Sequence, residues 1–323
     1  MRRIIVFVLL LLVSLTANAA VTIRISAAGD CTPGGNVHDS GYESYQKLFD
    51  EHGAEWFLEN VRSVFSEDDL TIVNFESTIP EASDKCKNEG FNFKSLPSCT
   101  EIFTSSSVEV CTVANNHTAD FGQSGLNSTV EALSAAGLSV CGYDRIVTTE
   151  VKGVRVTICG FTWWQKRADC LDTIKNLRPE CDLLIVTMHW GNEKQYETAD
   201  LQKWWGHAII DAGADVILGS HTHLPGGIEK YNDKYIVYSL GNFSFGGNKY
   251  PADYDSYIFV EEFTFDDRVL SDTAIDIIPC SISSDKEFNN CQPVVLEGFD
   301  ARRVLGKIHE STGWNWESFN WIK

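Results

Sequence analysis

Apolar and polar positions in this chain follow two periods, and the switch between them marks out its elements. Residues 21–30, VTIRISAAGD, read as a strand ending in Gly29-Asp30. Residues 41–66 set Tyr45, Leu48, Phe49, Trp56, Phe57, Val61, Val64 and Phe65 at helical spacing, with Gly53 as a break. LTIVNFES and VEVCTVANNH are short apolar strands, and SGLNSTVEALSAAG is a helix stopped by Gly137. LSVCGY, GVRVTICGF and CDLLIVTMHWG follow as strands, the last of the buried type. ADLQKWWGHAIIDAG is a helix stopped by Gly213, and ADVILGSHTH is a strand. KYIVYSLGNFSF, SYIFVEEFTF and LSDTAIDIIPC are then successive strands with no helix between them.

The order predicts an α/β fold. The β-α alternation of the first two thirds implies mainly parallel pairing, and the β-rich last third implies a second sheet packed on the first. A four-layer α/β/β/α sandwich fits this pattern. Residues 20–282 form the expected domain. Residues 283–323 form a Trp-rich C-terminal tail ending in GWNWESFNWIK, whose aromatics are expected to pack on the domain. Residues 1–19 read as a signal peptide: Arg2 and Arg3, an apolar run from Ile4 to Leu15, then Ala17-Asn18-Ala19. The run falls short of the ~20 residues that span a bilayer. Cleavage is expected after Ala19, leaving a secreted, periplasmic or cell-surface protein.

Charge narrows the partners. The formal net charge is −19, and losing Arg2 and Arg3 with the signal makes it −21. No basic, aromatic-interleaved stripe is present, so nucleic acid is not an expected partner. A carboxylate-rich polymer is repelled as well, unless metals or a local basic patch meet it. Ten cysteines behind a signal peptide suggest disulfides. Cys86 with Cys99, Cys280 with Cys291 and Cys170 with Cys181 have local spacings, although connectivity stays open. Cys111, Cys141 and Cys159 lie in apolar strands, where free buried cysteine is the ordinary expectation. Of three sequons, those at Asn116 and Asn242 coincide with the candidate site, and Asn127 is the plausible acceptor.

The chemistry lies at the strand ends. Asp30 closes AAGD, Glu76 closes IVNFE, Asn116 and His117 close CTVANNH, His189 closes VTMH, and His221 and His223 close ILGSHTH. Sites in α/β sheets form at the carboxyl ends of strands, so these side chains are expected on one rim. Each has an ordinary alternative: Asp30 as a turn residue, His189 as a satisfied core histidine. Together they make a mixed oxygen and nitrogen set suited to Zn, Mn or Fe. A carboxylate can bridge two divalent ions, and such a pair activates water for in-line displacement. A histidine beside them can protonate a leaving group. His38, His52, His207 and His309 read as structural or solvated. Neither a P-loop nor a G-x-S-x-G elbow occurs.

The segments AAGDCTPGG, IVNFESTI, VANNHTADFG, VTMHWGNE, GHAIIDAGADVILGSHTHLPGGIE and IVYSLGNFSF resemble the poly-γ-glutamate capsule synthesis (CapA) family of the calcineurin-like metallophosphoesterase superfamily. They occur in the family's order between residues 22 and 246. The resemblance implies that Asp30 and His223 bind a first metal, that Glu76 bridges, and that Asn116, His189 and His221 bind a second. It implies His117 as general acid, with Asp120, Glu193 and Asn242 supporting ligands or facing substrate. Superfamily phosphoesterases usually carry His two residues after the first Asp; here that position is Thr32, and CapA-like sequences also tend to lack this His. The implied function is a metal-dependent hydrolase of capsule or cell-envelope polymer metabolism, acting on a polymer or a small phosphate or amide, with capsule-assembly membrane proteins as possible partners. A non-catalytic polymer-binding or assembly protein and a general secreted phosphatase or phosphodiesterase are the alternatives.

Overall fold

The computed structural model describes residues 20–86 and 90–312. The expected signal peptide and the aromatic end of the tail, 313–323, lie outside the described residues. Among the described residues, two large sheets face each other. The first runs β16 (Val294–Val295), β15 (Val269–Ser281), β14 (Asp255–Asp266), β1 (Val21–Thr32), β3 (Leu70–Phe75), β5 (Val110–Thr112) and β6 (Ser139–Cys141), and β13 (Asn242–Phe245) pairs with β1 as an eighth strand. The second runs β11 (Ile228–Tyr231), β12 (Lys234–Val237), β10 (Val216–Ser220), β9 (Leu183–His189), β8 (Val154–Thr162) and β7 (Ile146–Val151). A small ladder joins β2 (Gly34–Asn36) to β4 (Phe93–Ser95).

Three apolar cores separate four layers. Ile23, Ile25 and Ala27 of β1 and Phe259 and Phe263 of β14 meet Ile158 of β8, Ile185 of β9 and Val237 of β12 between the sheets. Outside the first sheet, Val73, Phe75 and Val260 pack against Tyr45 of α1 (Gly41–His52), Phe65 of α2 (Arg62–Ser66), Phe103 of α3 (Thr100–Thr104) and Leu126 and Leu133 of α4 (Gly122–Ala135). Outside the second, Leu184 and Val186 pack against Ile174 of α5 (Arg167–Leu177) and Trp205 and Ile209 of α6 (Asp200–Asp211). The architecture is the α/β/β/α sandwich. Gly53 separates α1 from a single 3-10 turn, with φ of 78°. Asn127 is exposed on α4.

The origin of the sheets differs from the sequence expectation. The second sheet comes from residues 146–237, and the β-rich last third extends the first sheet instead. β14 alternates Tyr257, Phe259 and Phe263 toward the inter-sheet core with Ile258 and Val260 toward the outer one. A strand apolar on both faces belongs inside a sheet, and β14 lies between β1 and β15, antiparallel to both. KYIVYSLGNFSF is two strands in two sheets: β12 pairs with β10, and β13 crosses to β1.

That crossing depends on glycine. A Cβ on Gly29 would lie 1.9 Å from the carbonyl oxygen of Gly241, which itself has φ of 75°. The close approach lets Asp30 N donate to Gly241 O at 2.8 Å and sets Asn242 opposite Asp30.

Residues 283–312 continue the sandwich. β16 pairs with β15, and α7 (Gly298–Thr312) sends Val304 and Ile308 into the inter-sheet core. The expected disulfides do not form: all ten cysteines are free. Cys280 and Cys291 both lie unpaired in the core outside the first sheet, and Cys170 is buried on the inner face of α5 itself while Cys181 is only half-buried. These thiols act as small apolar fillers, and burial pushes those of Cys31 and Cys291 up to about 12.

Candidate metal centre

The carboxyl ends of β1, β3, β9 and β10 meet on one rim, and the ligand-type residues divide into two triads. Asp30, Glu76 and His223 bring their ligand atoms within 4.8 Å of one another, as do Glu76, His189 and His221. Glu76 belongs to both. His223 Nδ1 lies 3.3 Å from Asp30 Oδ2 and 3.9 Å from Glu76 Oε2, and His189 Nε2 lies 3.5 Å from Glu76 Oε1. Asn116, in the loop after β5, completes the second group: its Oδ1 lies 2.7 Å from His189 Nε2. His221 and His223 follow β10 with φ of 98° and 62°, a left-handed backbone that non-glycine residues adopt at a cost. Thr222 braces the turn through Ser239 Oγ at 2.8 Å, and its carbonyl accepts from Lys194 N at 2.8 Å.

A layer of neutral polar groups orients these side chains. Asn74 Nδ2 donates to Asp30 Oδ1 at 2.7 Å, and its Oδ1 accepts from Asn115 Nδ2 at 3.1 Å. Ser220 Oγ lies 3.0 Å from His189 Nδ1, and Asn242 Oδ1 lies 2.8 Å from His223 Nδ1. At His189 this fixes one ring nitrogen and leaves the other toward Glu76, the way proteins aim an imidazole at a metal, whereas at His223 the same nitrogen meets both Asn242 and the first triad. The sequence reading missed Asn74, Asn115 and Ser220. Their signal was position: Asn74 and Ser220 sit at the same strand ends as Glu76 and His221, and Asn115 precedes Asn116.

His117 stands apart from the triads in a second arrangement. Its Nδ1 meets Asp120 Oδ2 at 2.8 Å, that oxygen also accepts from Phe93 N at 2.7 Å, and the imidazole lies against the Phe93 ring at 4.1 Å. Nε2 has no protein partner among the described residues. Glu193 is exposed and makes no hydrogen bond or ion pair there; its charge nevertheless reaches Glu76 and His221. His38, His52 and His207 lie elsewhere: His38 near Asn92, His52 stacked on Trp56, His207 on Tyr231 with Glu229 2.8 Å from its Nε2.

The electrostatics suit a cation. Glu76 is fully buried, and neither carboxylate oxygen has a hydrogen-bond donor. Burial and the neighbouring Asp30 push its carboxyl well above the usual range. Burial, with His221 and His223 nearby, holds His189 well below the ordinary histidine value, and burial and His223 hold His221 down to about 4. Both are thus neutral, the form that binds metal. Burial opposes charge on His223, but Glu76 and Asp30 outweigh it and lift its pKa to about 10. A proton there occupies the place a divalent ion would take. Leaving a carboxylate buried without a partner is costly, and a metal shared by the triads would remove that cost. His221 Nδ1 is likewise buried with no partner.

Comparison with known proteins places the chain in a family. The Bacillus subtilis PGA biosynthesis protein CapA is 27% identical over 225 residues, covering 62% of this chain and 59% of that protein. The capsule biosynthesis protein CapA of Bacillus anthracis is 25% identical over 232 residues, covering 62% of this chain and 56% of that one. The matches thus span less than two thirds of these relatives' lengths. Among solved structures, a Staphylococcus aureus protein described as a candidate 5'-nucleotidase, in complex with alpha-ketoglutarate, superposes with a TM-score of 0.50 at 13% identity, over 90% of this chain and 58% of that one. That likeness shows a shared fold. The bacterial capsule synthesis protein family PGA_cap matches residues 24–247, a stretch that holds every side chain of both triads, and the chain belongs to that family.

Proposed function

We propose that the chain is an exported CapA-type protein of poly-γ-glutamate or related cell-envelope polymer metabolism, with a binuclear metal centre that hydrolyses a bond of the polymer or of a small phosphate or amide. The observation that carries the reading is Glu76: fully buried, without a hydrogen-bond donor among the described residues, and common to two triads of ligand-type residues. Export is supported by the charged, apolar and small-residue order of residues 1–19. The donor set of carboxylates, imidazoles and one amide suits Zn, Mn or Fe. Two such ions would activate water and polarise the scissile bond.

The remaining steps belong to the chain. Asp30 and His223 hold one position, Asn116, His189 and His221 the other, and Glu76 faces both. Asp120 fixes Nδ1 of His117 and leaves Nε2 to deliver a proton to the leaving group. Elemental analysis of the chain beside an Asp30→Ala, His223→Ala variant tests the centre: close to two metals per chain should fall to about one. His117→Ala should keep its metal and lose about 100-fold or more in turnover. Turnover that survives this change assigns the acid elsewhere.

One observation favours a second reading, a metal-dependent polymer-holding protein without turnover. Thr32 stands where superfamily enzymes place a further histidine, and its hydroxyl donates to Glu76 O at 3.0 Å instead of facing the first triad. That triad has a single imidazole. Chelator-sensitive polymer binding with no product would favour this reading.

A further inference from the structure

Beside the triads, the surface carries a feature that neither of them uses. Trp164, just past β8, is 56% exposed and stands edge-on to His221, with ring centroids 5.1 Å apart at 85° and 6.2 Å to His189. Its turn is anchored to the site. Trp163 N donates to His189 O at 3.3 Å, and Thr162 N donates to Gln165 Oε1 at 2.8 Å. Three residues on, at the start of α5, Arg167 lays its guanidinium over the indole of Trp204, 3.1 Å from Cζ to the ring centroid. Trp204 is also 56% exposed, on α6. Three chain steps keep the Cα atoms of Trp164 and Arg167 within about 11 Å. Trp164 beside the second triad and the Arg167–Trp204 pair are therefore near neighbours through one short stretch of chain.

Arg167 has no carboxylate partner among the described residues, although the chain is strongly acidic. Its neighbour Lys166 is paired with Asp169 at 3.2 Å. The Nη1 of Arg167 is covered and donates to nothing among the described residues, which leaves the Nε and Nη2 edge for an outside acceptor. Stacking on an indole holds a guanidinium flat without consuming its edge donors, and those donors match a carboxylate in bidentate geometry. The net charge of −19 repels an acidic polymer in general. A pre-set arginine three residues from Trp164 offsets that repulsion locally.

We propose that Trp164, Arg167 and Trp204 form a subsite for a carboxylate-bearing polymer, with Arg167 gripping an acidic group of the repeat next to the one lying on the triads. The indoles cover the alkyl part of the repeat. The proposal rests on the polymer reading above but not on hydrolysis.

The test is equilibrium binding of a fluorescent γ-linked glutamate oligomer to the metal-loaded chain and to Arg167→Gln, Arg167→Lys and Trp204→Ala variants. Each is measured at low and high salt, with metal content as a control. Arg167→Gln should bind about tenfold more weakly with metal content unchanged and with a shallower salt dependence, and Arg167→Lys should recover part of the loss. If Arg167→Gln loses its metal, Trp204→Ala decides by the same tenfold criterion. Binding by Arg167→Gln within about twofold of the parent overturns the proposal, and so does a parent chain that fails to bind the oligomer. The hydrolase reading fails separately. An oligomer held through Arg167 but never cleaved keeps the subsite and sinks hydrolysis. Cleavage undiminished in Arg167→Gln keeps hydrolysis and sinks the subsite.

Discussion

Glu76 shows how one side chain ties the centre together. Its two oxygens face two groups of ligand-type residues, and among the described residues no donor satisfies either oxygen. Asp30, by contrast, already accepts from Asn74 and from the backbone of His221 at 3.3 Å. Glu76 is therefore the residue of the two triads that a bound cation would satisfy most. Glu76→Gln keeps the volume and removes the carboxylate. Its metal-free stability is expected to stay within about 1 kcal/mol of the parent, while the gain in Tm on adding Zn or Mn largely disappears. Thermal unfolding with chelator and with metal measures both. A large loss in the metal-free form would show that the carboxylate is held by the protein itself. Asp30, Glu76, His189, His221 and His223 were legible because charged or metal-binding types ended apolar strands. Asn74 and Ser220 were not, because a neutral polar residue at a strand end looks like any turn residue until its partner is known.

Among elements, β1 organises the rim. Its edge is shared: β14 pairs antiparallel along Val21–Ala27, and β13 pairs parallel at Asp30 and Thr32. β14 begins near the same rim, where Asp255 receives Arg303 of α7 at 2.7 Å, and Lys307 of α7 reaches both Asp253 and Asp255 at 2.7 Å. Tyr196, from the loop that also bears Glu193, donates to Asp253, so α7 is tied to a loop of the site. Burial alone would raise the Asp255 carboxyl, but Arg303 and Lys307 outweigh it and hold it below the ordinary value of 3.8. A carboxyl lowered in the folded state stabilises the fold above the unfolded pKa, and that contribution fades as pH falls through the folded one. Asp255→Asn should therefore cost about 3 kcal/mol near neutrality, with the deficit shrinking below pH ~4. Urea unfolding at several pH values checks this, and a deficit that does not change with pH would mean the side chain acts through packing alone.

At the scale of the molecule, two sheets with helices on their outer faces bring the ends of four strands to a common rim, and the ligand sets of both triads are assembled only there. Assembly from distant segments would make a bound metal a cross-link between sheets: Asp30 and Glu76 lie at the ends of strands of the first, His189 and His221 at the ends of strands of the second. Metal bound to the folded form should stabilise the whole sandwich, by about 4 kcal/mol at a thousandfold excess over Kd. Chelation should lower Tm, and readdition of metal should restore it. An unchanged Tm in a chain shown to carry metal would place the ions outside the triads.

The sequence by itself determined the order of strands and helices, the α/β class, and which strand ends carry metal-ligand types, because these are local properties of period and residue type. Only the tertiary structure decided the division of those residues into two triads sharing Glu76, the crossing of β13 to β1, the entry of β14 and β15 into the first sheet, and the free state of the cysteines. Each depends on register between distant segments. Asp30 meets the backbone of His221, 191 positions away, and no local pattern specifies that contact.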